Sequence, residues 1–329
     1  MIKVGIPRGL FYFYYYPLWK TFFENLGAEV VTSSETNNKI VSQGIDIAVD
    51  ETCFPVKVYY GHVNQLCNEN IDYIFIPRIV SVELRSYICP KFMGIPDMIR
   101  ASFNNLPYVI DITIDLSRNN KELKKEIIKV GQLFTSNKKA INNAYQNAII
   151  EQKRFNQISK EGYTLDEAIK LWEGLKIKLN TKNDLKIGVF GHGYSIYDQA
   201  ISMNIINKLR EMECQAYIPE MLDKKIIEKE ASTLPKRVFW TIGRKMVGGA
   251  LHMDKRTDID GIIYVSCFGC GPDSIVGEVI ERKVKNKPFM LITVDEHTGE
   301  AGLVTRLEAF CDMLRRRKSN NESNISAHG

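Results

Sequence analysis

The chain has 329 residues, 44% of them hydrophobic and 25% charged, a globular composition with room for two domains that excludes wholesale disorder. Its net charge of +5 forms no basic stripe with interleaved aromatics, and the densest run, Arg315-Arg316-Arg317-Lys318, opens a polar tail, so no nucleic-acid partner is expected. No apolar stretch reaches membrane-span length and no secretory leader is legible, which predicts a cytoplasmic protein with no membrane contact.

In chain order, "IKVGIP" reads as a strand ending in a Gly-Pro turn, and Leu10 to Asn25 as an amphipathic helix. "AEVVTSS" is a second strand, Asn37 to Gln43 a short helix, and "DIAVDET" a third strand. Val56 to Glu69 is a helix, "YIFIPRIV" a fourth strand, and "PYVIDITID" an edge or crossing strand. Short β-branched runs separated by helical lengths imply a parallel sheet.

From Ser117 to about Leu179 the strand signal disappears. "NKELKKEIIKVGQLF" and "KAINNAYQNAIIEQKRFNQISKEG" carry apolar residues at helical spacing, and Thr164 with Glu167 forms a capping-box signature ahead of "AIKLW". The strand-helix rhythm returns at "DLKIGVFGHG" and continues through "CQAYIPE", "DGIIYVSCFGCG" and "KPFMLITVDEHTGEAG" to a closing helix over about Leu303 to Arg315. The predicted fold is therefore α/β, with two Rossmann-like parallel-sheet lobes, a helical connector and an inter-lobe cleft. Its divisions are a first lobe over 1–116, the connector over 117–184, a second lobe over 185–316 and a disordered tail over 317–329.

Ligands of open parallel sheets sit beyond the carboxyl ends of the strands. Cys53, Cys267 and Cys270 follow predicted strands there, and Cys89 lies in the loop after another. In a reducing cytosol seven cysteines are more readily thiols or metal ligands than disulfides. A structural zinc site usually takes two close ligand pairs, but "CFGC" stands alone, with no His-x3–5-His beside it. A thioredoxin-type dithiol would open the helix after the first strand of its fold, whereas this pair follows a late strand. Iron–sulfur ligation fits the pattern better, since thiolates can come from distant loops and Cys53-Phe54-Pro55, Cys89-Pro90 and Cys270-Gly271-Pro272 all place proline beside cysteine. Buried cysteine acting as a small hydrophobe is the bland alternative, and residue types alone leave both open.

Several motifs in order resemble one family. "VGIPRGLFYFYYYPLWKTFFENLGAEVV", "DETCFPVKVYYGHV", "ICPKFMGIP", "FGCGPDS" and "DEHTGEAGLVTRLEAF" are similar to the CoA-substrate-specific enzyme activase-related proteins, relatives of 2-hydroxyacyl-CoA dehydratase subunits and of double-cubane cluster proteins. The resemblance implies an iron–sulfur cluster, a four-iron cubane or a double cubane, held in the inter-lobe cleft by three cysteines per subunit. Carried over by motif, these are Cys53, Cys89 and Cys270, with Cys267 in reserve. It also implies low-potential electrons from a separate ATP-hydrolysing activator, a small-molecule substrate that is reduced or dehydrated, and pairing as a homodimer or with a related subunit. A non-catalytic electron-transfer or scaffold subunit, and a zinc-binding or metal-free regulator, are the alternatives.

The other candidates each have a bland counterpart. His297, with Asp295, Glu296 and Glu300 around it, is a candidate proton donor or else a loop histidine bonded to backbone. Arg8 and Arg306 can bind an anion or simply pair with neighbouring acids. Gly191-His192-Gly193 lacks the third glycine of a dinucleotide fingerprint and reads as a tight turn, and no Walker-type loop is present. Cys67, Cys214 and Cys311, in helices or on a strand, read as structural.

Overall fold

The computed structural model describes residues 1–178 and 184–326, with side chains as far as residue 320. The chain divides into two compact units: unit 1 comprises Met1–Lys176 and Val238–Ile242, and unit 2 comprises Ile177–Arg237 and Gly243–Gly329.

Unit 1 runs β1 (Lys3–Ile6), α1 (Tyr12–Asn25), β2 (Glu29–Thr32), α2 (Asn38–Ile47), α3 (Phe54–Cys67), β3 (Tyr73–Phe75), β4 (Arg78–Ser81), α4 (Pro90–Ser102), β5 (Tyr108–Ile110) and β6 (Thr113–Asp115). Three helices complete it: α5 (Lys121–Gly131), α6 (Lys138–Lys160) and α7 (Leu165–Trp172). Its sheet has the order β2-β1-β3-β5 with every pairing parallel, and β4 and β6 make a second, two-stranded parallel ladder.

Unit 2 contains β7 (Leu185–Phe190), α8 (Gly193–Ile196), α9 (Ile205–Glu211), β8 (Cys214–Tyr217), α10 (Lys224–Ala231), α11 (Thr241–Lys255), β9 (Gly261–Cys267), α12 (Gly271–Lys283), β10 (Phe289–Val294) and α13 (Glu300–Ser326). The first residues of α11 are counted with unit 1. Its sheet has the order β10-β9-β7-β8, again all parallel. The α/β class with parallel sheets is as the sequence predicts. Among the described residues no helix is long and apolar enough to cross a membrane.

The structure corrects four expectations. The strand expected at "DIAVDET" does not form: Asn37 caps α2 by accepting from Lys39 N–H and Ile40 N–H, and the helix continues to Ile47. Glycines then decide the packing, because a Cβ at Gly61 of α3 would run into the Ile40 carbonyl and one at Gly44 into that of Lys57. The two helices therefore pack backbone to backbone, and Cys53 follows a helix and a turn rather than a strand. The fourth strand is broken at Ile76-Pro77 into β3 and β4, since proline brings no N–H to a ladder.

The expected connector is part of unit 1. Its apolar stripe packs on α1: Phe22 meets Tyr145 edge-on at 6.2 Å, and Tyr16 donates to Glu173 Oε1 at 3.1 Å. Residues 179–183, where that segment was expected to end, lie outside the described residues. The closing helix passes Arg315 and reaches Ser326. No Gly or Pro interrupts "LRRRKSNNESNIS", so helix replaces the expected disordered tail over residues 317–326. The tail's last three residues lie outside the described residues.

Candidate functional site

All three predicted ligand cysteines stand at the same kind of place. Cys53 is the N-cap of α3, Cys89 of α4 and Cys270 of α12, each with proline in the first two helical positions. The pattern is physical: proline has no N–H to leave unsatisfied there, and its fixed φ starts the helix. The cap residue stays non-helical, with ψ of 151°, 134° and 103° at the three cysteines. A helix start also favours negative charge, which suits a thiolate.

Within unit 1 the two cysteine loops are tied together, because Lys91 Nζ donates to the Glu51 carbonyl at 3.2 Å. A strap from far along the sequence fixes the loop before α4. Tyr87 N–H donates to the Phe239 carbonyl at 2.9 Å, and Thr241 N–H donates to the Tyr87 carbonyl at 3.0 Å.

Unit 2 presents a more elaborate arrangement. Its sheet departs from β7 to β8 on one side and returns as β9 on the other, so the loops after β7 and β9 flank a topological switch point, where ligands of such sheets bind. The first loop is Gly191-His192-Gly193. Gly191 has φ of 147°, and a Cβ on it would strike the Val265 carbonyl of β9, so glycine lets this turn lie against the neighbouring strand. The second loop is Phe268 to Cys270, closed by Cys270 N–H donating to the Cys267 carbonyl at 3.1 Å, with Gly269 at φ 74°.

Between these loops lies a buried polar group. One ring nitrogen of His192, Cys270 Sγ and a carboxylate oxygen of Asp273 are all within 4.8 Å of one another. His192 Nδ1 is 2.6 Å from Asp273 Oδ1, which pairs the buried ring with the buried carboxylate. Tyr264 donates its hydroxyl to Asp273 Oδ1 at 2.8 Å, and Cys267 N–H donates to Oδ2 at 3.3 Å. Burial pushes the Asp273 carboxyl up, but His192, Tyr264 and the Cys267 N–H outweigh it and hold the carboxyl below its ordinary range. The His192 ring stacks on Tyr194 at 4.9 Å. Such a set of sulfur, nitrogen and oxygen donors can hold a transition metal.

Cys267 ends β9 and is buried, its Sγ donating to Ser195 Oγ at 3.3 Å. His297 is exposed after β10, with its backbone N–H donating to Asp295 Oδ1 at 3.0 Å. Glu300 opens α13 and pairs with Lys208 Nζ at 2.5 Å. Arg306 donates to the Leu291 carbonyl at 2.6 Å. Arg8 pairs with Asp166 at 2.9 Å and Glu35 at 3.0 Å, and Lys170 bonds both acids as well. Cys214 and Cys311 bring their sulfurs to 3.5 Å, both buried between β8 and α13.

Unit 1 has its own cavity at the corresponding sheet edge. It is apolar, lined by Pro7 and Gly9 after β1, Tyr12 and Trp19 of α1, Pro77 after β3 and Phe92 of α4.

Sequence reasoning missed the His192–Asp273–Tyr264 group. The available signals were a histidine framed by glycines at one strand end, and an acid three residues beyond Cys270.

The chain is matched by the family model described as CoA enzyme activase uncharacterised domain (DUF2229) over residues 3–222, about two thirds of its length. That span includes Cys53, Cys89 and His192 and ends before β9. No curated protein matches the chain.

Proposed function

Because the chain belongs to the CoA enzyme activase uncharacterised domain family, we propose that it is an iron–sulfur protein of the 2-hydroxyacyl-CoA dehydratase-like group. In this reading Cys53, Cys89 and Cys270 are the thiolate ligands, and Cys267 is a packing residue of β9. The observation that carries this reading is the repeated setting of the three: each caps a helix behind a non-helical φ/ψ and ahead of a proline. A thiol at a helix start suits a sulfur-ligated centre, because the first N–H groups of a helix have no intrahelical partner and can bond to cluster sulfides.

When bound, the cluster supplies one-electron chemistry at low potential, fed by an ATP-hydrolysing activator, for reduction or dehydration of a small molecule. The chain's own residues hold the thiolates rigidly. His297, exposed after β10, and Glu300, which opens α13, handle the proton of the reaction. In this reading the chain works as a homodimer or beside a related subunit, in the cytoplasm. A second reading, a mononuclear zinc-type centre in a regulator, draws on the grouping of Cys270, His192 and Asp273.

Iron and acid-labile sulfide counts on anaerobically purified chain separate the two. Matching iron and sulfide, lost in Cys53→Ser, Cys89→Ser and Cys270→Ser but kept in Cys267→Ser, is expected. Zinc without sulfide would overturn the iron–sulfur reading, and equal iron loss in Cys267→Ser would redraw the ligand set.

A further inference from the structure

We propose that His192 is a ligand of the metal centre held by Cys270, with Asp273 as the carboxylate that orients its ring. The inference rests on the metal-binding reading of Cys270 and adds a nitrogen donor to it. Topology brings the pair together: β7 and β9 are adjacent, with Phe190 opposite Tyr264, so the residues that follow them leave the sheet side by side. His192 is 4% exposed and Cys270 7% exposed, which puts nitrogen and sulfur donors in a site largely closed to water.

Asp273 is better suited to positioning than to ligation. Its Oδ1 already meets Tyr264 and His192, and its Oδ2 the Cys267 N–H. A histidine that binds a metal commonly gives its other ring nitrogen to a carboxylate, which fixes the ring and raises its basicity. With Nδ1 against Asp273, Nε2 is the nitrogen left for a metal on this proposal, and the ring lies close enough to Cys270 for one of its nitrogens to be within 4.8 Å of Sγ. Stacking on Tyr194 restrains the ring from its face. A three-cysteine set leaves one position of a cubane without a thiolate, and an imidazole there raises the reduction potential relative to an all-thiolate centre.

The test uses full-length chain purified without oxygen, as wild type, His192→Asn, His192→Cys and Asp273→Asn, with circular dichroism to confirm folding. Pulsed electron-spin resonance of the reduced wild type should show a strongly coupled nitrogen that disappears in His192→Cys. That variant should keep its iron and titrate at a more negative potential, because a thiolate has replaced the imidazole. Asp273→Asn should keep the nitrogen signal and bind metal about 10–100-fold more weakly. Wild-type iron content with no coupled nitrogen, or a His192→Asn spectrum identical to wild type, overturns the inference while leaving the cysteine assignment standing.

If the wild type carries no iron and sulfide, the proposed function fails first, and cobalt(II) titration then decides the ligand. A sulfur-to-cobalt absorption band whose affinity falls at least about tenfold in His192→Asn supports it. Absence of cobalt binding, or equal affinity in both proteins, overturns it.

Discussion

Both units wind four parallel strands in one order: the second strand flanks the first, and the third returns on the first strand's other side. The same switch point is nevertheless furnished differently. In unit 1 the loops after β1 and β3 border an apolar, aromatic-lined cavity, and the charged Arg8 is turned into a network with Asp166, Glu35 and Lys170. In unit 2 the corresponding loops enclose His192, Cys270, Asp273 and Tyr264. One winding therefore fixes where a ligand can go, and a few loop residues fix which chemistry it meets.

The largest expected effect lies at the glycines that set helix spacing. Gly61→Ala should destabilise unit 1 by about 3 kcal/mol, because its methyl meets the backbone carbonyl of Ile40 rather than a side chain that can move. Gly248→Ala poses the same problem in unit 2, where the methyl meets the Ile227 carbonyl. Hydrogen exchange should show lost protection in α2 and α3 for the first variant and in α10 and α11 for the second. Identical exchange maps would mean that the units unfold as one.

Acidification should separate the units next. His62 is fully buried in unit 1, with Nδ1 2.9 Å from Ser33 Oγ and Nε2 3.0 Å from Thr36 Oγ1. Burial, helped by the Arg8 charge, lowers its pKa to about 3. The unfolded chain takes up that proton near pH 6.5 and the folded chain only near 3. Stability from this residue is thus fully present above 6.5 and declines as pH falls through the window, by about 2 kcal/mol at pH 5. The three tryptophans, Trp19, Trp172 and Trp240, all belong to unit 1, so their fluorescence reads this unit alone. Denaturant midpoints at pH 7 and pH 5 should differ in wild type, and His62→Gln should shrink the difference; an unchanged difference would place the titration elsewhere.

Two smaller effects follow. Thr164→Ala removes one half of the capping box at α7, where Thr164 Oγ1 accepts from Glu167 N–H and Glu167 accepts from Thr164 N–H. It should cost about 1 kcal/mol, read from the same tryptophan signal. Cys67, whose thiol burial raises to about 11, should alkylate more slowly at pH 8 than a thiol of ordinary pKa, measured by mass spectrometry of iodoacetamide-treated peptides. Labelling at the rate of an unfolded control would show that the end of α3 opens readily.

The parallel α/β class was legible because "IKVGIP", "AEVV", "GIIYVS" and "FMLITV" are short β-branched runs punctuated by Gly or Pro. The proline near each of Cys53, Cys89 and Cys270 was legible too, as a stiffener of its loop; that each cysteine caps a helix is what the structure adds. Long-range determinants were not. "DIAVDET" has a strand-like composition, and a helix-to-helix contact through Gly44 and Gly61 overrode it. His192 and Asp273 are far apart in sequence, and only the pairing of β7 with β9 makes them neighbours. The connector's polar composition concealed a single apolar stripe matched to α1.

The strap that holds Tyr87 has a consequence for synthesis. Phe239 and Thr241 belong to unit 1, yet the ribosome delivers them only after the whole stretch from Ile177 to Arg237 has been made. At roughly 10 residues per second that is a delay of about 6 s. During it the loop before α4 lacks the backbone partners that later clamp it, so in the nascent chain Tyr87 and the Cys89 loop behind it must wait for their final geometry.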